Sequence, residues 1–370
     1  MRRERLEPRP DWRAKVEALG LDFHTSEGEP YWWEAACYAF SAVEIDVIEA
    51  ASETLHKMCL EAVDRLVEAG DFRRLNIPEP FWSWVATSWR RQDPGLYGRF
   101  DLAFDGSSPP KLLEYNADTP TALLEAAVVQ WYWLEEVKKG ADQFNSIHEK
   151  LIAAWGELRR RHPDTQLVHF AGVLDEPEDR RTIEYMRDVC QQGGWPTEQL
   201  DIAEIGWNGR AFTDLAERPI SALFKLYPWE WLLQEKFGPH LLADPAAFIE
   251  PPWKMLLSNK AILPILWEMF PGHPNLLPAF FERDRIAGPC IEKPIHGREG
   301  GGVVQIAAGQ PRLGGGERVY QALAPLPQFD GQHAVIGSWI IAGQAAGIGI
   351  REDDRPITTN ASRFVPHYFT

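Results

Sequence analysis

Apolar residues recur at three- and four-residue intervals along positions 44–69, where Ile45, Ile48, Leu55, Met58, Ala62 and Leu66 share one helical face. Gly70 follows in the place where a left-handed residue commonly ends a helix. The spacing predicts a packing helix with no chemistry of its own, and the first third of the chain reads as mostly helical. The period then shortens to two. Polar and apolar positions alternate through Tyr97-Gly98-Arg99-Phe100-Asp101 and again through Glu114-Tyr115-Asn116, and Asp105-Gly106 between them is a turn signal. A β-hairpin is predicted there. Directly after it, Thr119 reads as an N-cap, Pro120 as a first helical residue, Lys138 and Lys139 as last-turn cations and Gly140 as a terminator.

From about residue 166 strands alternate with a helix. The pattern predicts strands over 166–174, 202–205 and 220–226 and a helix over 179–191 ended by Gly193-Gly194, together a small α/β lobe. Trp229 and Trp231 read as core, and the run Asp175, Glu176, Glu178, Asp179 as the acidic start of its helix. In the last third, Lys293 falls on a strand, glycines cluster at Gly297, Gly300, Gly301 and Gly302, and 303–307 reads as the returning strand. Residues 318–323 form another strand that runs into Pro325 and Pro327. Strands over 334–341 and 345–350 make a hairpin around Ala342-Gly343-Gln344, with Arg351 at its end. The fold class is α+β or α/β, in approximate lobes 1–150, 160–250 and 251–370, without internal repeats.

The first hairpin carries the candidate chemistry. Alternate residues of a strand leave one face, so Arg99 and Asp101 would share a space with Glu114 and Asn116. Two carboxylates and an amide oxygen suit a magnesium ion that carries nucleotide phosphates; an exposed hairpin with ordinary polar alternation gives the same pattern. The glycine cluster can admit backbone N–H groups to phosphate oxygens. It lacks the order of a P-loop, and leading into a strand it does not match a dinucleotide fingerprint. Arg351 is placed either for an anion or for an ordinary salt bridge.

Composition narrows the alternatives. With 370 residues, 45% of them hydrophobic and 16 Trp, the chain can bury a sizeable core. It has no apolar run of the roughly 20 residues that span a bilayer and no apolar leader, which places it in the cytoplasm without a membrane partner. The net charge of −16 argues against nucleic acid and fits a cationic small substrate or simple solubility. Cys37, Cys59, Cys190 and Cys290 are far apart, as expected of reduced buried thiols.

Taken in order, Tyr97-Gly98-Arg99-Phe100-Asp101, the Leu112-to-Thr121 stretch, Trp253-Lys254-Met255-Leu256, Asn259-Lys260-Ala261-Ile262-Leu263-Pro264, Lys293-Pro294, Gly297-Arg298-Glu299-Gly300 and Ser362-Arg363-Phe364-Val365-Pro366-His367 resemble the synthetase domain of glutathionylspermidine synthetase and its stand-alone relatives. The match runs from about Tyr31 to the C-terminus. The resemblance implies a permuted, glutathione-synthetase-like ATP-grasp fold, with ATP and Mg2+ between two lobes under a glycine-rich flap, and an acid activated as an acyl phosphate before an amine attacks it. It implies that Asp101, Glu114 and Asn116 bind magnesium, and that Arg99 steadies the carboxylate. Lys260 and Lys293 would hold phosphates, and Gly297, Arg298, Glu299, Gly300, Gly301 and Gly302 would cover them. Gln321, Ala322 and Leu323 would face adenine, and Arg351 the transferring phosphoryl group. Bifunctional members also carry an N-terminal amidase domain with a cysteine nucleophile. This chain begins too close to the synthetase motifs for one, so no amidase activity is expected. The expected partners are a peptide-like acid and a polyamine-like amine. Phosphoryl transfer without ligation, and nucleotide binding without catalysis, are the other readings.

Overall fold

A computed structural model describes residues 1–26, 28–297, 300–359 and 362–370. Its centre is an antiparallel sheet in the order Arg363–Val365, Gln344–Asp353, Gln332–Ile341, Tyr97–Ala103 and Lys111–Asn116, with Gln328–Phe329 added beside Gln332–Ile341. The packing helix, Ala42–Ala69, opens with a capping box in which Ser41 and Glu44 satisfy each other's backbone N–H groups, and it ends at Gly70 with φ 66°. Its apolar face, including Ile45, Ile48, Leu55 and Leu66, is buried against this sheet and the Ile262–Met269 helix. A hydrogen bond of 2.7 Å between the Ser52 and Ser338 hydroxyls fixes helix to sheet.

A second, parallel sheet runs Ala247–Ile249, Ala222–Leu226, Val168–Gly172, Thr197–Asp201. Its two middle strands are buried throughout, the condition that lets parallel strands read as continuous apolar runs. The Pro177–Gln192 helix makes the crossover from Val168–Gly172 to Thr197–Asp201. A third sheet, Ala279–Phe280, Arg318–Ala322, Cys290–Pro294, Val304–Ile306, is antiparallel. Arg2–Arg5, Ala36–Phe40 and His367–Phe369 pair in a small sheet that brings the two ends of the chain together.

Three local expectations change. Residues 202–205 are not a strand: the Asp201 carboxylate accepts from Ala203 N and nucleates a 3-10 turn, Ile202–Glu204, after the strand Thr197–Asp201. Thr119 and Pro120 do not start a helix either. Ala122 takes a left-handed φ of 65°, which delays the helical turns to Leu123, from where they run through a π segment at Glu125–Val129 into a helix at Gln130–Val137. Trp229 is buried as expected, but Trp231 is 46% exposed, because residues two apart on the helix Trp229–Leu232 face nearly opposite sides. All four cysteines are free and buried.

Candidate active site

The hairpin forms with the strands in the register that alternation requires. Arg99 lies opposite Asn116 and Asp101 opposite Glu114, while Trp339 and Gly337 of the next strand stand beside Arg99 and Asp101. Gly337 is needed for room: a Cβ there would sit 2.8 Å from Arg99 Cδ. Arg99 and Asp101 are almost wholly buried and paired, Nε to Oδ1 at 2.8 Å and Nη2 to Oδ2 at 3.2 Å. Arg99 Nη1 also donates to the Thr121 carbonyl at 2.6 Å. Arg351 reaches across from its own strand and donates to Asp101 Oδ2.

Glu114 is the second focus. Lys260 approaches its Oε2 at 3.4 Å and donates to the Gly297 carbonyl at 2.6 Å, and Asn116 Nδ2 donates to Glu114 Oε1 at 3.1 Å. Burial alone would push the Glu114 carboxyl up, but Lys260, Lys293, the Asn116 amide and Arg351 overcome it and hold the group well below the usual carboxylate range. Lys293 is buried and donates to Leu113 O and Gln321 Oε1, both at 2.7 Å. Desolvation, opposed by the attraction of Glu114, pushes its ammonium down to about 8.

Four cations, Arg99, Arg351, Lys260 and Lys293, thus surround two carboxylates, Asp101 and Glu114, in a protein whose net charge is −16. A cleft of about 90 Å3 joins Arg99, Asp101, Glu114, Asn116 and Arg351 to Gly297 and Gly300. Gly300 has φ 72°, and a Cβ on it would meet the Thr358 carbonyl oxygen at 2.4 Å, so the glycine turn rests on the 358 backbone. Arg298 and Glu299 lie outside the described residues. Gly301 and Gly302 are exposed, and the Gly302 carbonyl accepts from Arg318.

The profile of the glutathionylspermidine synthase preATP-grasp family matches residues 3–370. The chain belongs to that family. It is 42% identical to a putative acid–amine ligase of Haemophilus influenzae over 98% of this chain and 97% of the relative. It is 31% identical to trypanothione synthetase of Crithidia fasciculata and 27% identical to the bifunctional glutathionylspermidine synthetase/amidase of Escherichia coli, across 84% and 88% of this chain. The chain spans only 53% and 58% of those two longer proteins. Among solved structures, a glutathione synthetase-like effector from Globodera pallida aligns over 99% of this chain and all of its own, with TM-score 0.56 and 10% identity. A putative γ-glutamylcysteine synthetase from Methylobacillus flagellatus aligns over 86% of this chain and 87% of its own, with TM-score 0.50 and 12% identity. These likenesses establish a mixed α/β fold of glutathione-synthetase type.

Within this family member, the segment after the hairpin is the part of the site that sequence reading missed. Thr119, Pro120 and Thr121 line the cleft, with Pro228, Glu230, Ser258 and Thr358. Thr119 and Pro120 drew attention as helix signals, while Thr358 lies in a stretch with no local signal. Outside that lining, Glu125 is 1% exposed, Tyr31 donates to its Oε1 at 2.7 Å, and burial together with Glu178 pushes its carboxyl up to about 7. The Gln321 side chain points inward, accepting from Lys293 and donating to the Leu112 carbonyl. The N–H groups of Ala322 and Leu323 are taken by Pro278 and Pro289.

Among the described residues no cluster of three His, Cys, Asp or Glu side chains has metal-holding geometry. The Asp101–Glu114 pair with the Asn116 amide is therefore too small a donor set to cage a cation alone. It fits an ion that brings its own phosphate and water ligands, the usual habit of magnesium. The Asn116 nitrogen faces Glu114, which leaves its oxygen for such an ion.

Proposed function

We propose that this protein is an ATP-dependent carboxylate–amine ligase that makes an amide bond through an acyl phosphate, joining a glutathione-like peptide acid to a polyamine-like amine. The observation that carries the reading is the strand register that sets Asp101, Glu114 and Asn116 among Arg99, Arg351, Lys260 and Lys293, beside the glycine turn at Gly297 and Gly300. Family membership and the names borne by its relatives, acid–amine ligase and trypanothione and glutathionylspermidine synthetases, support the same chemistry. The fold is then a permuted ATP-grasp, with ATP between the lobe over residues 251–370 and the hairpin.

Asp101, Glu114 and Asn116 would hold Mg2+, which supplies charge neutralisation to the phosphates when bound. Lys260 and Lys293 bind phosphate oxygens, and Gln321 acts by holding Lys293 rather than by touching adenine. Arg99 commits three of its five N–H groups inside the protein, which leaves two for the substrate carboxylate. A carboxylate oxygen attacks the γ-phosphorus and ADP leaves. The amine nitrogen then attacks the acyl carbon, loses a proton, and phosphate departs with the oxygen that came from the acid. Arg351 and Arg99 stabilise charge on the transferring phosphoryl group and on the tetrahedral oxyanion, where fixed cations act most strongly.

ADP release with ATP and Mg2+ tests this, comparing glutathione plus spermidine, each alone, and panels of peptides and polyamines. The reading requires stimulation that depends on both an acid and an amine, with the conjugate found by mass spectrometry. ADP release indifferent to any amine would replace it with phosphoryl transfer alone.

A further inference from the structure

Lys254 belongs to the resembling motifs, yet it does not line the cleft. It lies in the 3-10 turn Pro252–Leu256, 3% exposed, behind the hairpin. Its Nζ donates to the Tyr97 carbonyl at 2.8 Å and the Ala117 carbonyl at 3.3 Å, and pairs with Glu250 Oε2 at 3.0 Å. Glu250 is fully buried and accepts from Leu96 N at 3.0 Å and Tyr97 N at 2.9 Å.

The two carbonyls have a particular place. Tyr97 opens the first strand two residues before Arg99, and Ala117 directly follows Asn116 on the second. One ammonium therefore bridges the strands at the end where no turn joins them. At the other end, a bulge between Asp101 and Leu102 interrupts the ladder, so the turn near Asp105 does not transmit a fixed spacing to the Asp101–Glu114 pair. We propose that Lys254, held by Glu250, is a positioning residue that sets the separation of the Arg99–Asp101 and Glu114–Asn116 strands for the metal–phosphate complex. The inference rests on the reading under Proposed function.

A pair that merely fills the core would affect stability and all ligands alike, whereas a positioning pair changes metal affinity selectively. Truncating one partner would strand a buried charge, so the test uses the neutral double variant Lys254→Met/Glu250→Gln and, separately, Lys254→Arg. Lys254 borders a cavity of about 670 Å3, which leaves room for the longer guanidinium. The measurement is Mn2+ binding by electron paramagnetic resonance with a non-hydrolysable ATP analogue, beside metal-free binding of the same analogue and thermal melting.

The double variant is expected to melt cooperatively and to bind Mn2+ at least about tenfold more weakly, the usual size of an effect from behind the ligands, while metal-free nucleotide affinity holds within about twofold. Lys254→Arg, which keeps charge and donors, is expected to recover most of the metal affinity. Mn2+ affinity equal to the wild type in both variants, or an equal loss of metal and metal-free nucleotide binding, overturns the proposal. If the double variant does not fold, wild-type Mn2+ affinity and wild-type melting in Lys254→Arg support it, and weakened nucleotide binding without metal in that variant overturns it. Failure of the wild type itself to bind Mn2+ with nucleotide removes the site reading and this inference with it.

Discussion

At the scale of single residues, Glu114 stays ionised despite burial because Lys260 and Lys293 face it, so its removal leaves those cations turned on one another with nothing to neutralise them. Glu114→Ala is expected to lower ADP formation by at least about a hundredfold while circular dichroism stays unchanged, since charge placement supplies most of the rate in phosphoryl transfer. Ordinary turnover in that variant would remove Glu114 from the metal site. Lys293 gives a pH signature. It is protonated below about 8 and loses its charge as pH rises through that value, so kcat/KM for ATP in the free enzyme should fall above about pH 8. Lys293→Gln should be weaker throughout and should lack that descending limb.

At the scale of elements, the glycine turn is the most sensitive segment. Gly300→Ala places a methyl group on a residue at φ 72° and drives it into the Thr358 carbonyl, which cannot yield as a flexible side chain could. Strain of about 1–2 kcal/mol is expected locally, and an ATP KM raised well above that of the wild type, measured by ADP release, with the melting of the remainder hardly altered. The same elements show what was legible in the sequence. The Ala42–Ala69 helix and the Tyr97–Ala103 and Lys111–Asn116 strands were readable because each buries a face with the period of its own backbone. Thr119-Pro120 misled because its local helix signals lose to the left-handed backbone at Ala122 and to the hydrogen bond that carries the Thr121 carbonyl to Arg99. Asp201 misled in the opposite sense, since a capping carboxylate reorganised three residues that read as extended. Thr358 gave no signal because the glycine turn it meets is remote in sequence, and only the folded chain brings the two together.

At the scale of the whole molecule, the sheets meet at one site from different directions. The central sheet supplies Arg99, Asp101, Glu114, Asn116 and Arg351, and the third sheet supplies Lys293. A buried Lys225, on a strand of the parallel sheet, bonds Asp118, whose second oxygen accepts from Trp229 N at 2.9 Å, and so ties that sheet to the segment following Asn116. Arg99, Arg351, Lys260 and Lys293 thus gather around Asp101 and Glu114 in a chain of net charge −16. No helix among the described residues is long and apolar enough to cross a membrane. The central claim is that an acid oxygen is phosphorylated and then displaced by an amine. It is tested most directly by supplying the acid with its carboxylate labelled with 18O and following the label through turnover with ATP, Mg2+ and the amine. Ligation through an acyl phosphate predicts one 18O in the inorganic phosphate for each amide formed, and phosphate free of label beside newly made amide would contradict it.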